Sequence, residues 1–261
     1  MSDRDFVRVA QEDHVATITL DRPESLNAIS GDLAKQLTAR CSEVAKDDEV
    51  WVVVLGAEGE KAFCVGADLK ERASFTTDDY FENRKHMRAM FDSIRALPQP
   101  SIASVFGFAL GGGFELALSC DLIVAAESAQ LGLPELRVGL LPAGGGTQLL
   151  PRRTGVAVAK ELIYAARRFS AEDGVGYGIV SRVVPRNQLD DETMKLAQEI
   201  CKSSPVATRS AKRALDAALG TPIEDGIEFE NEMWKEVIVS QDRAEGIAAF
   251  NDKRDPKWSN S

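Results

Sequence analysis

The chain has 261 residues, with 31 Lys and Arg against 41 Asp and Glu and a formal net charge of −10. At about 150 residues per domain, that length fits one large domain or two small ones, and 44% hydrophobic with 28% charged residues is an ordinary globular composition with ample core. The acidic balance offers no general attraction to nucleic acid or anionic lipid, which demotes both as partners. The amino end, Met1-Ser-Asp-Arg-Asp-Phe6, has no apolar stretch of the kind a secretory signal needs. No run approaches the roughly 18 apolar residues of a membrane span. Cys41, Cys64, Cys120 and Cys201 lie far apart without CxxC pairing, so reduced thiols in a cytoplasmic protein are expected. His14 and His86 are the only histidines, one in a turn-like and one in a charged helical setting, so neither a metal site nor a Ser-His-Asp triad is expected.

In chain order, residues 15–20 alternate like a strand, and Asp21-Arg-Pro closes it with turn chemistry. Residues 30–46 predict a helix capped by Ser30, with Leu33, Leu37, Cys41 and Val44 at helical spacing. Residues 50–55 form a continuous apolar run, the pattern of a strand buried on both faces. Residues 77–97 predict a long amphipathic helix with Tyr80, Met87, Met90, Phe91, Ile94 and Leu97 on its apolar face. Buried strands follow at 101–106 and 121–126, separated by a glycine-rich turn at 111–113 and a short helix at 114–119. Strands alternating with helices imply parallel crossovers and an α/β core. Another apolar run lies at 179–184; from about Asn187 the chain reads as almost all helix, broken at Pro205 and at Gly220-Thr-Pro222.

Three stretches can carry chemistry. In Lys61-Ala-Phe-Cys-Val-Gly-Ala-Asp-Leu-Lys70, small residues after a strand let a ligand approach the main chain, although a tight turn into a helix capped by Asp68 explains them equally. In Gly107-Phe-Ala-Leu-Gly-Gly-Gly-Phe-Glu115, three glycines before a helix free main-chain N–H groups that favour negative charge. It is neither a dinucleotide fingerprint nor a P-loop, and Glu115 there is also a comfortable first-turn acid. In Leu131-Gly-Leu-Pro-Glu135-Leu-Arg-Val-Gly-Leu140, a carboxyl among Leu133, Leu136 and Val138 should have a raised pKa or a dedicated partner, with Arg137 the ready alternative. A carboxyl poised near neutrality suits general acid–base work. The run Gly144-Gly-Gly146 before Thr147-Gln148 reads as close packing at a helix start.

Taken together and in order, these stretches resemble the crotonase (enoyl-CoA hydratase/isomerase) superfamily. The likeness also includes Leu20-Asp-Arg-Pro-Glu-Ser-Leu-Asn-Ala28, Pro142-Ala-Gly-Gly-Gly-Thr-Gln148, Asp242-Arg-Ala-Glu-Gly246 and Ala249-Phe250-Asn-Asp-Lys253-Arg254, so it runs nearly end to end. The resemblance implies an α/β fold built as a spiral of ββα units over residues 1–186, with a C-terminal helical segment, 187–261, that mediates trimers or hexamers. It implies an acyl-CoA thioester substrate, CoA being part of the substrate, and no metal or redox cofactor. Its oxyanion donors would be the main-chain N–H groups of Ala67 and Gly112. Glu115 would orient and deprotonate water for the β-carbon, and Glu135 would protonate the α-carbon, the two standing twenty residues apart as in hydratases. CoA would meet Val65, Ala67, Leu69 and Lys70 around the adenine and Ser25, Leu26 and Ala28 along the pantetheine, with Phe250 and Lys253 supplied by a neighbouring subunit; core packing is the alternative for Phe250.

Within the superfamily, Ala67-Asp-Leu-Lys-Glu-Arg-Ala73 and Gly145-Gly-Thr-Gln-Leu-Leu-Pro-Arg152 are similar to methylglutaconyl-CoA hydratases. A distal carboxylate on such a substrate would want Arg137 or Arg72, though surface pairing also accounts for either. Some members of that subgroup bind RNA through a lysine-rich helix; the matching helix here carries only Lys35 and Arg40, which disfavours nucleic acid. The other readings are a crotonase-fold isomerase, thioesterase or lyase, and a non-catalytic binding protein of that fold.

Overall fold

The computed structural model describes residues 4–261, opening with strands β1 (Val7–Glu12) and β2 (Val15–Leu20) and helix α1 (Gly31–Val44). There follow β3 (Val52–Ala57), β4 (Ala62–Cys64), the single turn α2 (Leu69–Arg72) and the long α3 (Thr77–Arg95). The next stretch holds β5 (Ser101–Val105), β6 (Phe108–Leu110), α4 (Gly112–Ser119), β7 (Leu122–Ala126) and β8 (Gln130–Gly132). After these come α5 (Gly146–Thr154), α6 (Val156–Tyr164), β9 (Arg168–Ser170), α7 (Ala171–Gly176) and β10 (Arg182–Val184). Four helices complete it: α8 (Leu189–Ile200), α9 (Pro205–Ala217), α10 (Ile223–Ile238) and α11 (Gln241–Asp252).

The strands form a six-stranded sheet in the order β1-β2-β3-β5-β7-β10 and a four-stranded sheet in the order β4-β6-β8-β9. All pairs in the large sheet are parallel except the β1–β2 hairpin, and the small sheet is parallel except at β8–β9. In three successive passes, beginning at β3, β5 and β7, one strand joins the large sheet and the next, short strand joins the small sheet before the chain turns into helix, so the α/β chain winds as a spiral of ββα units. The predicted runs at 50–55, 101–106 and 121–126 are β3, β5 and β7, the inner strands, whose residues are buried on both faces. The small sheet consists of three-residue strands, too short to show an alternating pattern.

Local rules set the helix starts. Ser30 accepts from the Leu33 N–H to cap α1, and Thr76 with Asp79 forms a capping box at α3. The buried faces of α1 and α3 close one side of the large sheet, with Leu33, Leu37, Met90 and Ile94 joining Ile18, Val53, Ala103 and Phe114 in the main core. On the other side Val52, Val54, Ile102 and Val124 meet Leu189, Leu196 and Ala197 of α8. Helix α9 is tied to the core by Lys212, whose Nζ donates to Asp121 Oδ2 at 2.8 Å and to the Gln99 carbonyl at 3.0 Å. Helices α9 and α10 and the turn between them leave Leu215, Leu219, Ile223, Ile227 and Trp234 exposed.

Residues beyond α11 are held by Asp242, which is fully buried, at 0% exposure. It accepts from Ser204 Oγ at 2.8 Å, Ser259 N at 2.8 Å and Asn260 N at 3.1 Å. Asp242→Ala strands those donors, and urea denaturation is expected to show a loss of about 2 kcal/mol or more.

Candidate active site

Two glycine-rich turns stack against each other at the C-terminal ends of β4 and β6. A Cβ on Gly113 would lie 2.0 Å from the Cys64 carbonyl oxygen, and one on Gly66, whose φ is +90°, would lie 3.0 Å from both Gly112 N and Leu110 O. Only bare backbone permits that approach. A parallel bridge pairs Ile29 with Ala67, made by the Ile29 N–H to the Gly66 carbonyl at 2.8 Å and the Asp68 N–H to the Ile29 carbonyl at 3.0 Å. Because its neighbours make the bridge, the N–H of Ala67 itself points the other way. Gly112 is the first residue of α4, where an N–H has no intrahelical acceptor. Both residues line one cavity of about 400 Å³, together with Glu115, Glu135, Ile29, Met87 and Phe91.

Glu115 sits in the first turn of α4 at 3% exposure. Its Oε1 accepts the N–H groups of Gly144 and Gly146, each at 2.7 Å. Burial pushes this carboxyl above its ordinary range, against the pull of those amides. The Gly144–Gly146 run thus does more than open α5. It cradles a carboxyl: a Cβ on Gly144 would meet the Phe91 ring at 2.4 Å and Glu115 Oε2 at 2.8 Å.

Glu135 lies on a one-turn 3-10 helix after β8, spanning Glu135–Val138. Burial, with a further push from Glu115, lifts its carboxyl to about 7. Its Oε2 is buried without a hydrogen-bond partner among the described residues. A Cβ on Gly111 would lie 3.1 Å from Glu135 Oε1, so the carboxyl hangs beside the Gly111–Gly112 turn. The expected apolar nest is only partly there: Leu133 is buried, whereas the 3-10 turn leaves Leu136 and Val138 on the surface. Arg137 makes no ion pair with Glu135; its Nη2 donates to the Ala165 carbonyl at 3.3 Å.

Ser25, Leu26, Ala28, Val65, Leu69 and Lys70 come together along a second groove of about 780 Å³. It shares Val65, Ala67 and Leu69 with the first cavity, so the two adjoin at these residues. Leu26 and Asn27 both hold left-handed φ, 53° and 54°. Asn27 fixes that turn through bonds to Arg22 N, the Glu58 carbonyl and the Ala62 carbonyl. Phe250 and Lys253 line neither cavity: Phe250 is 84% exposed on α11, which removes core packing as its role. Lys35 and Arg40 are engaged with Asp32 and Glu43 on the surface of α1.

His14 stacks on Trp51, away from both cavities. Among the described residues no group of three His, Cys, Asp or Glu could hold a metal ion, and no helix is long and apolar enough to cross a membrane. Sequence reasoning missed Arg84 on the cavity wall and Arg95 beneath it. Arg84 follows Tyr80 by four residues and precedes Met87 by three, so helical spacing alone could have placed it on that face.

A family model described as enoyl-CoA hydratase/isomerase matches residues 10–261. The chain is 37% identical over 258 residues to the mitochondrial methylglutaconyl-CoA hydratase of Rattus norvegicus, covering 97% of this chain and 82% of that one. It is 40% identical over 248 residues to the mitochondrial enoyl-CoA hydratase domain-containing protein 2 of Homo sapiens, covering 94% and 85%. Its backbone superposes on the crystal structure of an enoyl-CoA hydratase from Bacillus anthracis with a TM-score of 0.96 at 40% identity, covering 98% of this chain and 100% of that one.

Proposed function

The chain belongs to the enoyl-CoA hydratase/isomerase family, and from that premise we propose that it adds water across the α,β double bond of a short or branched 2-enoyl-CoA. One observation carries this reading. Two carboxyls in unlike surroundings, Glu115 cradled by amides and Glu135 with one buried oxygen unpartnered and a pKa of about 7, line one cavity with the two main-chain turns. Environments that separate two carboxyls assign them different proton roles.

In this mechanism the thioester oxygen accepts hydrogen bonds from the N–H groups of Ala67 and Gly112, which stabilise the enolate as charge moves onto that oxygen. Ionised Glu115 takes a proton from the water as its oxygen bonds to the β-carbon. Protonated Glu135 gives its proton to the α-carbon, and the thioester carbonyl re-forms. CoA is part of the substrate and lies along the groove of Ser25, Leu26, Ala28, Val65, Leu69 and Lys70; no metal or redox cofactor takes part. Phe250 and Lys253 reach the CoA of a neighbouring subunit in a homotrimer or hexamer, an assembly that the exposed apolar face of α9 and α10 supports. Buried free thiols at Cys41, Cys64 and Cys120 fit the reducing cytoplasm.

The test is incubation with crotonyl-CoA: the enoyl absorbance should disappear as 3-hydroxybutyryl-CoA forms. Conversion to other products would favour an isomerase, thioesterase or lyase, and binding without turnover a binding protein.

Arg72 favours a second, narrower reading, a substrate with a distal carboxylate such as 3-methylglutaconyl-CoA. It lines the cavity with its Nε buried and unpartnered. The acids beside it in sequence are engaged elsewhere, Asp68 with Arg22 at 2.6 Å and Glu71 with the Gly31 N–H at 3.1 Å. Arg84 on the same wall pushes against the Arg72 charge, and neither has an ion-pair partner among the described residues. On this reading kcat/KM for 3-methylglutaconyl-CoA exceeds that for crotonyl-CoA, and Arg72→Met shrinks the ratio about tenfold or more. An unchanged ratio in the variant leaves only the broader reading.

A further inference from the structure

We propose that Arg95 is a positioning residue for Glu115: its guanidinium anchors the glycine loop 144–146, whose N–H groups hold the Glu115 carboxylate. The proposal rests on Glu115 acting as the base. Arg95 is the last residue of α3, and its Nη1 donates to the Gly144 carbonyl at 3.0 Å. That carbonyl belongs to the peptide between Gly144 and Gly145. The N–H donors to Glu115 belong to the peptides on either side, at Gly144 and Gly146, each 2.7 Å from Oε1. The guanidinium therefore grips the middle peptide while its two neighbours present their N–H groups to the carboxylate.

Three glycines in a row have no side chains to pack and the widest conformational freedom of any residues, so an outside anchor decides how the loop is held. Gly145, at φ +126°, adopts a conformation that suits glycine. The anchor is itself braced. Arg95 Nη2 donates to Asp92 Oδ1, and Nη1 also reaches Ser119 Oγ at 3.4 Å. Ser119 Oγ in turn donates to the Glu115 carbonyl at 2.8 Å, so Arg95 touches both ends of the unit that holds the base. A cation in the last turn of α3 also faces the favourable end of that helix dipole.

The other ionisable groups facing Glu115 are Arg84, also from α3, and Glu135 across the cavity. Arg84 acts on Glu115 through charge, whereas Arg95 acts through the loop. If the loop loosens, the carboxylate loses amide donors while remaining buried. Burial raises and the amides lower its proton affinity, so that loss raises it further. A base of higher proton affinity is ionised only at higher pH.

The experiment compares wild type, Arg95→Met and Arg95→Lys in two measurements. In ¹³C NMR titration of labelled glutamate side chains, with Glu115 assigned by the signal missing from Glu115→Gln, the Glu115 midpoint should move upward in Arg95→Met and back toward wild type in Arg95→Lys. In crotonyl-CoA hydration, Arg95→Met should lose about tenfold in kcat/KM relative to wild type at neutral pH and a smaller factor relative to wild type at higher pH, the acid limb having moved upward. An unmoved Glu115 midpoint, or an equal loss of rate at every pH in a folded variant, overturns the proposal. If wild type hydrates no enoyl-CoA, the reading of Glu115 as base fails, while the NMR titration still decides whether Arg95 sets the state of that carboxyl.

Discussion

Replacing Glu135 with glutamine is expected to lower kcat for crotonyl-CoA hydration by about a thousandfold, because glutamine cannot give the α-carbon its proton. Glu115→Gln should lose a similar factor by failing to accept the water's proton. The double variant should lose far less than the product of the two factors, because the two groups act as a unit. Steady-state assays over a range of pH supply the second half of the prediction. The proposed mechanism requires Glu115 ionised and Glu135 protonated, so on it kcat/KM should be bell-shaped, with its alkaline limb falling near the Glu135 value of about 7. Because each carboxyl pushes on the other, the two limbs report the pair as a whole. Full activity in either single variant would rule out this division of roles.

The same carboxyl makes a stability prediction of opposite sign. Its pKa rises from 4.5 to about 7 on folding, so the folded state holds the proton more tightly than the unfolded one. The resulting stabilisation relative to the ionised form is fully present below the unfolded value and is lost as pH rises through the folded one. Glu135→Gln, which never ionises, should therefore melt at a higher temperature than wild type at about pH 8 and show that advantage shrinking toward about pH 4. The group that loses activity when replaced is one that the fold holds at a cost.

The second large effect is at Gly113. An added methyl would stand 2.0 Å from the Cys64 carbonyl oxygen and 2.5 Å from its carbon, both main-chain atoms that cannot swing aside. Gly113→Ala is expected to cost about 4 kcal/mol or more, enough to leave little folded protein at 37 °C. Gly56→Ala is the control: nothing lies within 4 Å of a Cβ there, and its position in β3 favours a side chain. Thermal melts of the two variants should differ sharply, and a Gly113→Ala protein as stable as Gly56→Ala would mean that the two turns do not stack as closely as described.

The inner strands were legible in the sequence because parallel strands covered on both faces are built mostly from small and apolar residues, as β3 and β7 are throughout and β5 is but for Ser101 and Ser104. Ser30 announced α1 and the apolar spacing of residues 77–97 announced α3 for equally local reasons. The small sheet was not legible: three residues carry no periodicity, and its strands exist only because neighbours arrive from distant parts of the chain. Glu135 shows the same limit within the site. Its sequence neighbours Leu136 and Val138 suggested the burial, yet they face outward, and the carboxyl is instead covered beside the Gly111–Gly112 turn. Arg95 reads in sequence as an ordinary last-turn cation; its partner Gly144 is 49 residues further on.

The Ala67 and Gly112 N–H groups belong to the chain itself. Any substitution but proline at either position leaves an N–H in place, so a screen of single replacements never removes the proposed donors; at Gly112 it reports instead the crowding of a new Cβ, 3.3 Å from Ile29 Cδ1. Replacements at Gly66 and Gly113 are expected to register as damage for another reason, because a Cβ at either meets main-chain atoms of the facing turn. If these N–H groups have the role proposed for them, such a screen sees them only indirectly, through the packing of the residues around them.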